Sequence, residues 1–273
     1  MKKTKEKDRQ NIVVSDIHAG SSTSIFPPSI TLPPLMELEG DRKIYAQFHQ
    51  LKIYDHLMAQ AKRIKQSSLP KTIIFNGDLI EGTRLRTIQL SVPTLDDMRL
   101  VAIEIMETFL DAMGFSVKNG DELYITSGTE VHTEFTEAYI ARHFQHLGAV
   151  YCDTGELIQN GRRIWFTHQW VGAGKGHNEG NAIYNGLKAI YYDCLKEKKE
   201  MPDLVIGSHF HKSALGSYSQ SWNTYYGIIS PSLQMKTRHA LKVSGFQRND
   251  IGIIDYDITA EGAFIFRDPV LMP

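Results

Sequence analysis

Cysteine is scarce: the chain has two in 273 residues, Cys152 and Cys194. They form no C-x-x-C pair and no disulfide framework, and they read as free thiols of a reducing compartment. Long hydrophobic runs are missing too, and no stretch approaches the ~20 apolar residues that cross a bilayer. The charged segment Met1–Gln10, followed by only a short apolar run, does not read as a signal peptide. Nor is there an excess of charge of one sign. Lys+Arg number 30 against 31 Asp+Glu, a net charge of −1, which argues against a protein that coats nucleic acid through a wholly basic surface. Internal repeats and low-complexity tracts are absent. What remains is ordinary globular composition, 42% hydrophobic, enough to bury a core without crosslinks. The expectation is a single cytoplasmic domain over residues 1–273 with no membrane partner. Its oligomeric state is left open.

Short β-branched or aromatic runs predict strands at Asn11–Ser15, Thr72–Asn76, Leu123–Thr126, Arg163–Thr167 and Leu204–Gly207. Later runs at Tyr226–Ser230, Ile251–Ile258 and Ala263–Arg267 read as a closing antiparallel group within about 222–268, with Ile251–Ile258 half-exposed. Helices are expected over about Lys43–Gln66, Leu95–Met113, Glu134–Leu147 and Ala182–Lys199. The second has Thr94 as N-cap, Asp97 three residues on, an apolar stripe from Met98 to Ala112, and Gly114 at its end. In the last, Ile183, Leu187, Ile190, Cys194 and Leu195 should face inward. Four of the ten prolines fall in Ile25–Leu35, part of an extended surface excursion over about 21–42. Alternating strands and helices followed by a run of strands predict an α/β protein with more than one sheet layer.

Five successive strand ends carry the chemistry. Asp16 and His18 follow the first, Gly77 and Asp78 the second, and Gly128-Thr129-Glu130-Val131-His132 the third; His168 follows the fourth, and His209 and His211 the fifth. Ligands of open α/β sheets bind at the carboxyl ends of strands, so the five sets can converge. In extended backbone, residues two apart face the same side, so Asp16 with His18, and His209 with His211, can each grip one ion. Mixed imidazole and carboxylate donors suit divalent transition metals better than Ca or Mg. Asp16, His18, Asp78, Glu130, His168, His209 and His211 are too many for one tetrahedral site and suffice for two ions with open positions.

The order D-x-H, G-D, a Gly-led third motif, a lone His and H-x-H resembles the calcineurin-like metallophosphoesterase superfamily, over residues 11 to 211. The resemblance implies a four-layer α/β/β/α sandwich of two mixed β-sheets flanked by helices. It implies one metal held by Asp16, His18 and His211, a second by His168 and His209, and Asp78 as the bridge. It further implies hydrolysis of phosphate esters by a metal-activated hydroxide, with two divalent ions, manganese first and iron, zinc, nickel or cobalt as alternatives. Two departures stand out. The last motif reads G-S-H-x-H, with Ser208 between Gly207 and His209. The third reads G-T-E-V-H, where the family has an Asn ligand beside a phosphate-contacting His. Thr129 is a poor neutral ligand, so Glu130 is expected to replace the Asn and His132 to assist the leaving group as catalytic residue. This variant resembles phage-type members, which favours a phosphodiester of a nucleotide or nucleic acid over a phosphoprotein. The competing expectation is a non-catalytic scaffold or binding module on the same fold.

Gly172–Asn178 is glycine-rich but lacks P-loop spacing, and reads as an active-site loop carrying His177 toward substrate. Arg84, beyond Asp78, is a second substrate-binding candidate. Lys236, Arg238, His239, Lys242 and Arg248 give a local basic bias. His49, His56, His143 and His146 fall in helical patterns as structural residues, and Trp165, Trp170 and Trp222 read as core.

Overall fold

The computed structural model describes residues 7–36, 40–83, 89–130, 136–174, 178–238, 241–242, 249–269 and 271–272. The strands are β1 (Arg9–Val14), β2 (Ser29–Leu32), β3 (Arg42–Tyr45), β4 (Lys71–Asn76), β5 (Glu122–Thr126), β6 (Val150–Cys152), β7 (Thr154–Gln159), β8 (Arg162–Thr167), β9 (Leu204–Gly207), β10 (Ala214–Gln220), β11 (Asn223–Ile229), β12 (Ile254–Ile258) and β13 (Phe264–Phe266). The α-helices are α1 (Phe48–Lys65), α2 (Leu95–Met113), α3 (Thr136–His143) and α4 (Asn181–Glu197). One sheet has the order β13-β12-β1-β4-β5-β6 and the other β10-β11-β9-β8-β7. Both are mixed: β1, β4, β5 and β6 run parallel with β12 antiparallel to β1, while β8, β9 and β11 run parallel between antiparallel β7 and β10.

Three apolar cores separate four layers. Ile12 and Val14 of β1, with Ile73 and Phe75 of β4, pack on α1 and α2 through Ile53, Leu57, Val101, Ile105 and Phe109. The alternate residues Val13 and Ile74 face the second sheet and meet Ile164, Phe166, Leu204 and Ile206. The outer face of that sheet packs Val205, Tyr218 and Ile229 on Ile183 and Leu187 of α4. Period-2 alternation within one strand thus supplies two different cores. The fold is the α/β/β/α sandwich.

Local signals act where expected in α2. Thr94 Oγ1 accepts from Asp97 N, and Gly114 ends the helix at φ 69°. Other expectations are corrected. The late strands form no single closing group: β11 lies parallel to β9 in the second sheet, whereas β12 and β13 join the first. β12 is buried on both faces, because its Asp255 is covered by Arg63, Arg267 and Gln10, and Asp257 by Arg267. The proline-rich excursion contains β2, which pairs antiparallel with β3, and sinks Ile25, Phe26 and Leu32 into the first core. Residues 42–45 are strand, so α1 starts later than its pattern suggests. Leu195 and Trp222 are exposed, the latter completely, at the tip of the β10–β11 hairpin. Cys152 and Cys194 are free. Among the described residues, no helix is long and apolar enough to cross a membrane.

Candidate metal centre

The carboxyl ends of β1, β4, β5, β8 and β9 meet at one edge of the sandwich. Past the strand ends the backbones stay in register, with Asp16 N donating to Gly77 O, His18 N to Asp78 O, and Ser208 N to His168 O. Asn76, the last residue of β4, ties the strands together. Its Nδ2 donates to Ser208 Oγ (2.6 Å) and Thr167 O (2.8 Å), and its Oδ1 accepts from Thr126 Oγ1 (3.0 Å).

Two clusters of donor atoms form there, Asp16 with His18 and His211, and Asp78 with His168 and His209, the atoms of each lying within 4.8 Å of one another. The clusters touch. Asp78 Oδ2 is 3.0 Å from His168 Nε2, 3.8 Å from His209 Nδ1 and 3.9 Å from His18 Nε2. Asp16 Oδ1 is 3.3 Å from His211 Nε2, 3.8 Å from His18 Nε2 and 4.0 Å from His168 Nε2. His209 and His211 therefore fall in different clusters, and not side by side as extended spacing suggests. The backbone explains why. Asp16, His18, Asp78, His209 and His211 all have φ between 45° and 74°, and they are five of the eight non-glycine residues with positive φ among those described. Left-handed residues cost about 1–3 kcal/mol each and gather where structure is held for a purpose.

Asp16 Oδ1 tests the fit to a cation. It is fully buried and accepts no hydrogen bond, although imidazoles surround it. Its other oxygen, Oδ2, accepts from His209 N (3.2 Å) and lies 2.6 Å from Ser15 Oγ. Ser15 Oγ is also 2.7 Å from Asn76 O, so its single proton is shared between two acceptors. His168 Nδ1 is 2.7 Å from Asn76 O, which makes Nδ1 the donor and turns Nε2 with its lone pair to the centre. That Nε2 lies 3.0 Å from Asp78 Oδ2, an ion pair only while the ring is protonated and a donor-to-donor spacing once it is neutral. Buried polar atoms left this way are costly unless a cation joins them. The residues fit divalent ions.

No family model and no curated protein matches the chain. Among solved structures, it is similar to an archaeal phosphodiesterase over 96% of this chain and 99% of that one, at 11% identity and a TM-score of 0.46. The NAD nucleotidase of Haemophilus influenzae is similar over 98% of this chain and 50% of its own, at 9% identity and TM-score 0.44. Vps29 of Chaetomium thermophilum is similar over 96% and 97%, at 7% identity and TM-score 0.41. Identities this low leave its function to be read from the residues of the site.

Electrostatics at the centre follow from burial and proximity. Burial alone would raise the Asp16 and Asp78 carboxyls, but the surrounding histidines outweigh it and hold both well below the usual range. Burial would lower His18, and the Asp16 and Glu81 carboxylates hold it well above its ordinary value. His168 is lowered by burial yet pushed up to about 9 by Asp78 and Asp16.

Of the third motif, residues 128–130 are described. Glu130 is exposed and stands in neither cluster. Gly128 passes so close to Asp78 that a Cβ there would overlap the Asp78 backbone and carboxylate, which brings Thr129 over the carboxylate and sends the next residue outward. Arg84, His132 and His177 lie outside the described residues. Sequence reasoning missed Glu81 and Gln234. His18 Nδ1 is 3.2 Å from Glu81 Oε2, which accepts from Gln234 Nε2 at 2.7 Å, all buried. Only the proximity of Glu81 to Asp78 in the chain could have flagged it; nothing local flags Gln234.

Proposed function

We propose that this chain is a dinuclear metal-dependent hydrolase of phosphate esters, with phosphodiesters of nucleotides or nucleic acid as the preferred class and manganese as the first metal to try. The observation that carries this reading is the contact between the two clusters: each carboxylate faces imidazoles of both, so Asp78 can serve two ions as a bridge. When bound, the two cations would supply the charge that lowers the pKa of water toward neutrality and offsets charge on the phosphoryl oxygens. The chain's own residues do the rest. Glu81 fixes the His18 ring, and Asn76 O fixes the His168 tautomer. His132 is assigned the proton for the leaving oxygen, and Arg84 and His177 the substrate phosphate. The diester preference rests on the likeness of Gly128-Thr129-Glu130-Val131-His132 to phage-type third motifs.

Elemental analysis after reconstitution with Mn²⁺ tests the reading. Wild type should carry about two ions per chain, and Asp78→Ala about one or fewer. Bis(p-nitrophenyl) phosphate should be cleaved by wild type, faster than p-nitrophenyl phosphate, and activity should vanish in Asp78→Ala. One ion or none in wild type, with no hydrolysis, would replace an enzyme by a scaffold.

A further inference from the structure

We infer that Thr129, and not Glu130, completes the second cluster, its hydroxyl oxygen acting as a neutral fourth donor to the ion held by Asp78, His168 and His209. The inference rests on the dinuclear reading above and concerns which residue fills the position left by the altered third motif.

Spacing supplies the first ground. Donor atoms about 2.1 Å from one small cation, at tetrahedral or octahedral angles, stand roughly 3.0–3.4 Å from one another. Thr129 Oγ1 donates to Asp78 Oδ2 at 3.2 Å and lies 3.2 Å from His209 Nδ1. Asp78 Oδ2 lies 3.0 Å from His168 Nε2. Three of these contacts thus fall at donor-to-donor distances, and His209 Nδ1 to Asp78 Oδ2 is longer, at 3.8 Å.

Fixation supplies the second. Thr129 N donates to Asp78 Oδ1 at 2.6 Å, so the backbone that carries the hydroxyl is anchored to the carboxylate it would share an ion with. This approach exists only because Gly128 has no side chain. The hydroxyl is thus held beside the carboxylate, whereas Glu130 is exposed and stands in neither cluster.

Charge supplies the third. Glu130 as ligand would add a negative charge to a centre that already has two buried carboxylates, Asp16 and Asp78. A hydroxyl adds none. A neutral oxygen is also a weaker donor than a carboxylate, so the second ion should bind less tightly than a Glu-bearing site would hold it.

Calorimetric titration with Mn²⁺ and the visible spectrum of the Co²⁺ form test the assignment without reference to activity. Thr129→Val keeps the shape and the backbone N–H but removes the hydroxyl. It should leave the first ion unchanged, weaken the second about tenfold or more, and alter the Co²⁺ band of that site as one donor is lost. Unchanged binding of the first ion doubles as the check on folding. Thr129→Ser should restore both readouts, and Glu130→Ala should match wild type. Two ions bound to Thr129→Val with wild-type affinity, a Co²⁺ spectrum unmoved by that change, or loss of the second ion in Glu130→Ala would each overturn the assignment while leaving the dinuclear reading intact. Fewer than two ions in wild type would remove the dinuclear reading and this assignment with it.

Discussion

Imidazoles and carboxylates rarely sit on left-handed backbone, and at this site five of them do. The strain is sustained by partners that over-determine each side chain, and Glu81 is the clearest of these. Removing it as Glu81→Ala should weaken divalent-ion binding roughly 10–100-fold, because the orienting partner of a ligand imidazole is lost. Titration calorimetry reads this directly, and unchanged affinity would demote Glu81 to a bystander. A second prediction concerns protons. His168 titrates near 9 in the metal-free fold against an ordinary 6.5, so its protonated form is favoured at neutral pH, and that preference disappears as pH rises through about 9. A metal ion needs the neutral ring. Ion affinity should therefore climb with pH up to about 9 and then level, with protons released on binding at pH 7.5. Calorimetry in buffers of different ionisation enthalpy measures that release; its absence would contradict the pairing of His168 with Asp78.

The strands and helices show how far local pattern carries. α2 follows its cap, stripe and terminal glycine, since all three signals lie within the helix itself. β1 and β4 were legible as apolar runs, and their alternation was hidden because both faces are buried between a helical layer and a second sheet. β6, β7 and β10 carry mixed polar sequence and were not visible, as edge or near-edge strands with exposed faces often are not. β7 also depends on Gly155, where a Cβ would overlap the Phe166 ring in the core between the sheets. Gly155→Ala should cost about 1–3 kcal/mol by overpacking. Urea denaturation measures the loss, and metal stoichiometry should stay at the wild-type value because the metal centre lies beyond the strand ends.

On the scale of the molecule, the centre joins the two sheets. Asp16 and Asp78 follow strands of the first sheet, whereas His168 and His209 follow strands of the second. Ions bound there would crosslink the sandwich, and anything that binds only the folded state stabilises it. At a free concentration of about 100 Kd each site contributes about 2.7 kcal/mol. For a chain of this size that raises Tm roughly 5–10 °C per site. Calorimetric scans with Mn²⁺ and after chelation should differ by this amount, and the difference should shrink in Asp78→Ala. Equal Tm values under both conditions would show that the ions do not bridge the sheets.

The sequence by itself determined the donors and their order. Each of Asp16, His18, Asp78, His168, His209 and His211 follows directly on a strand whose apolar run can be read locally. Local signals also set α2 and the free state of the two cysteines. Residue spacing did not decide which donors share a cluster, because left-handed turns, and not extended backbone, carry the side chains. Tertiary structure alone distributed the last strands between the sheets, since pairing partners lie far apart in the chain: β12 meets β1 through Ile254 and Val13. The same holds for Glu81, Gln234, Asn76 and Thr129. Their importance comes from contacts across 50 to 153 residues, such as Asn76 with Thr126 and Gln234 with Glu81, and no spacing rule within a segment encodes a contact of that range.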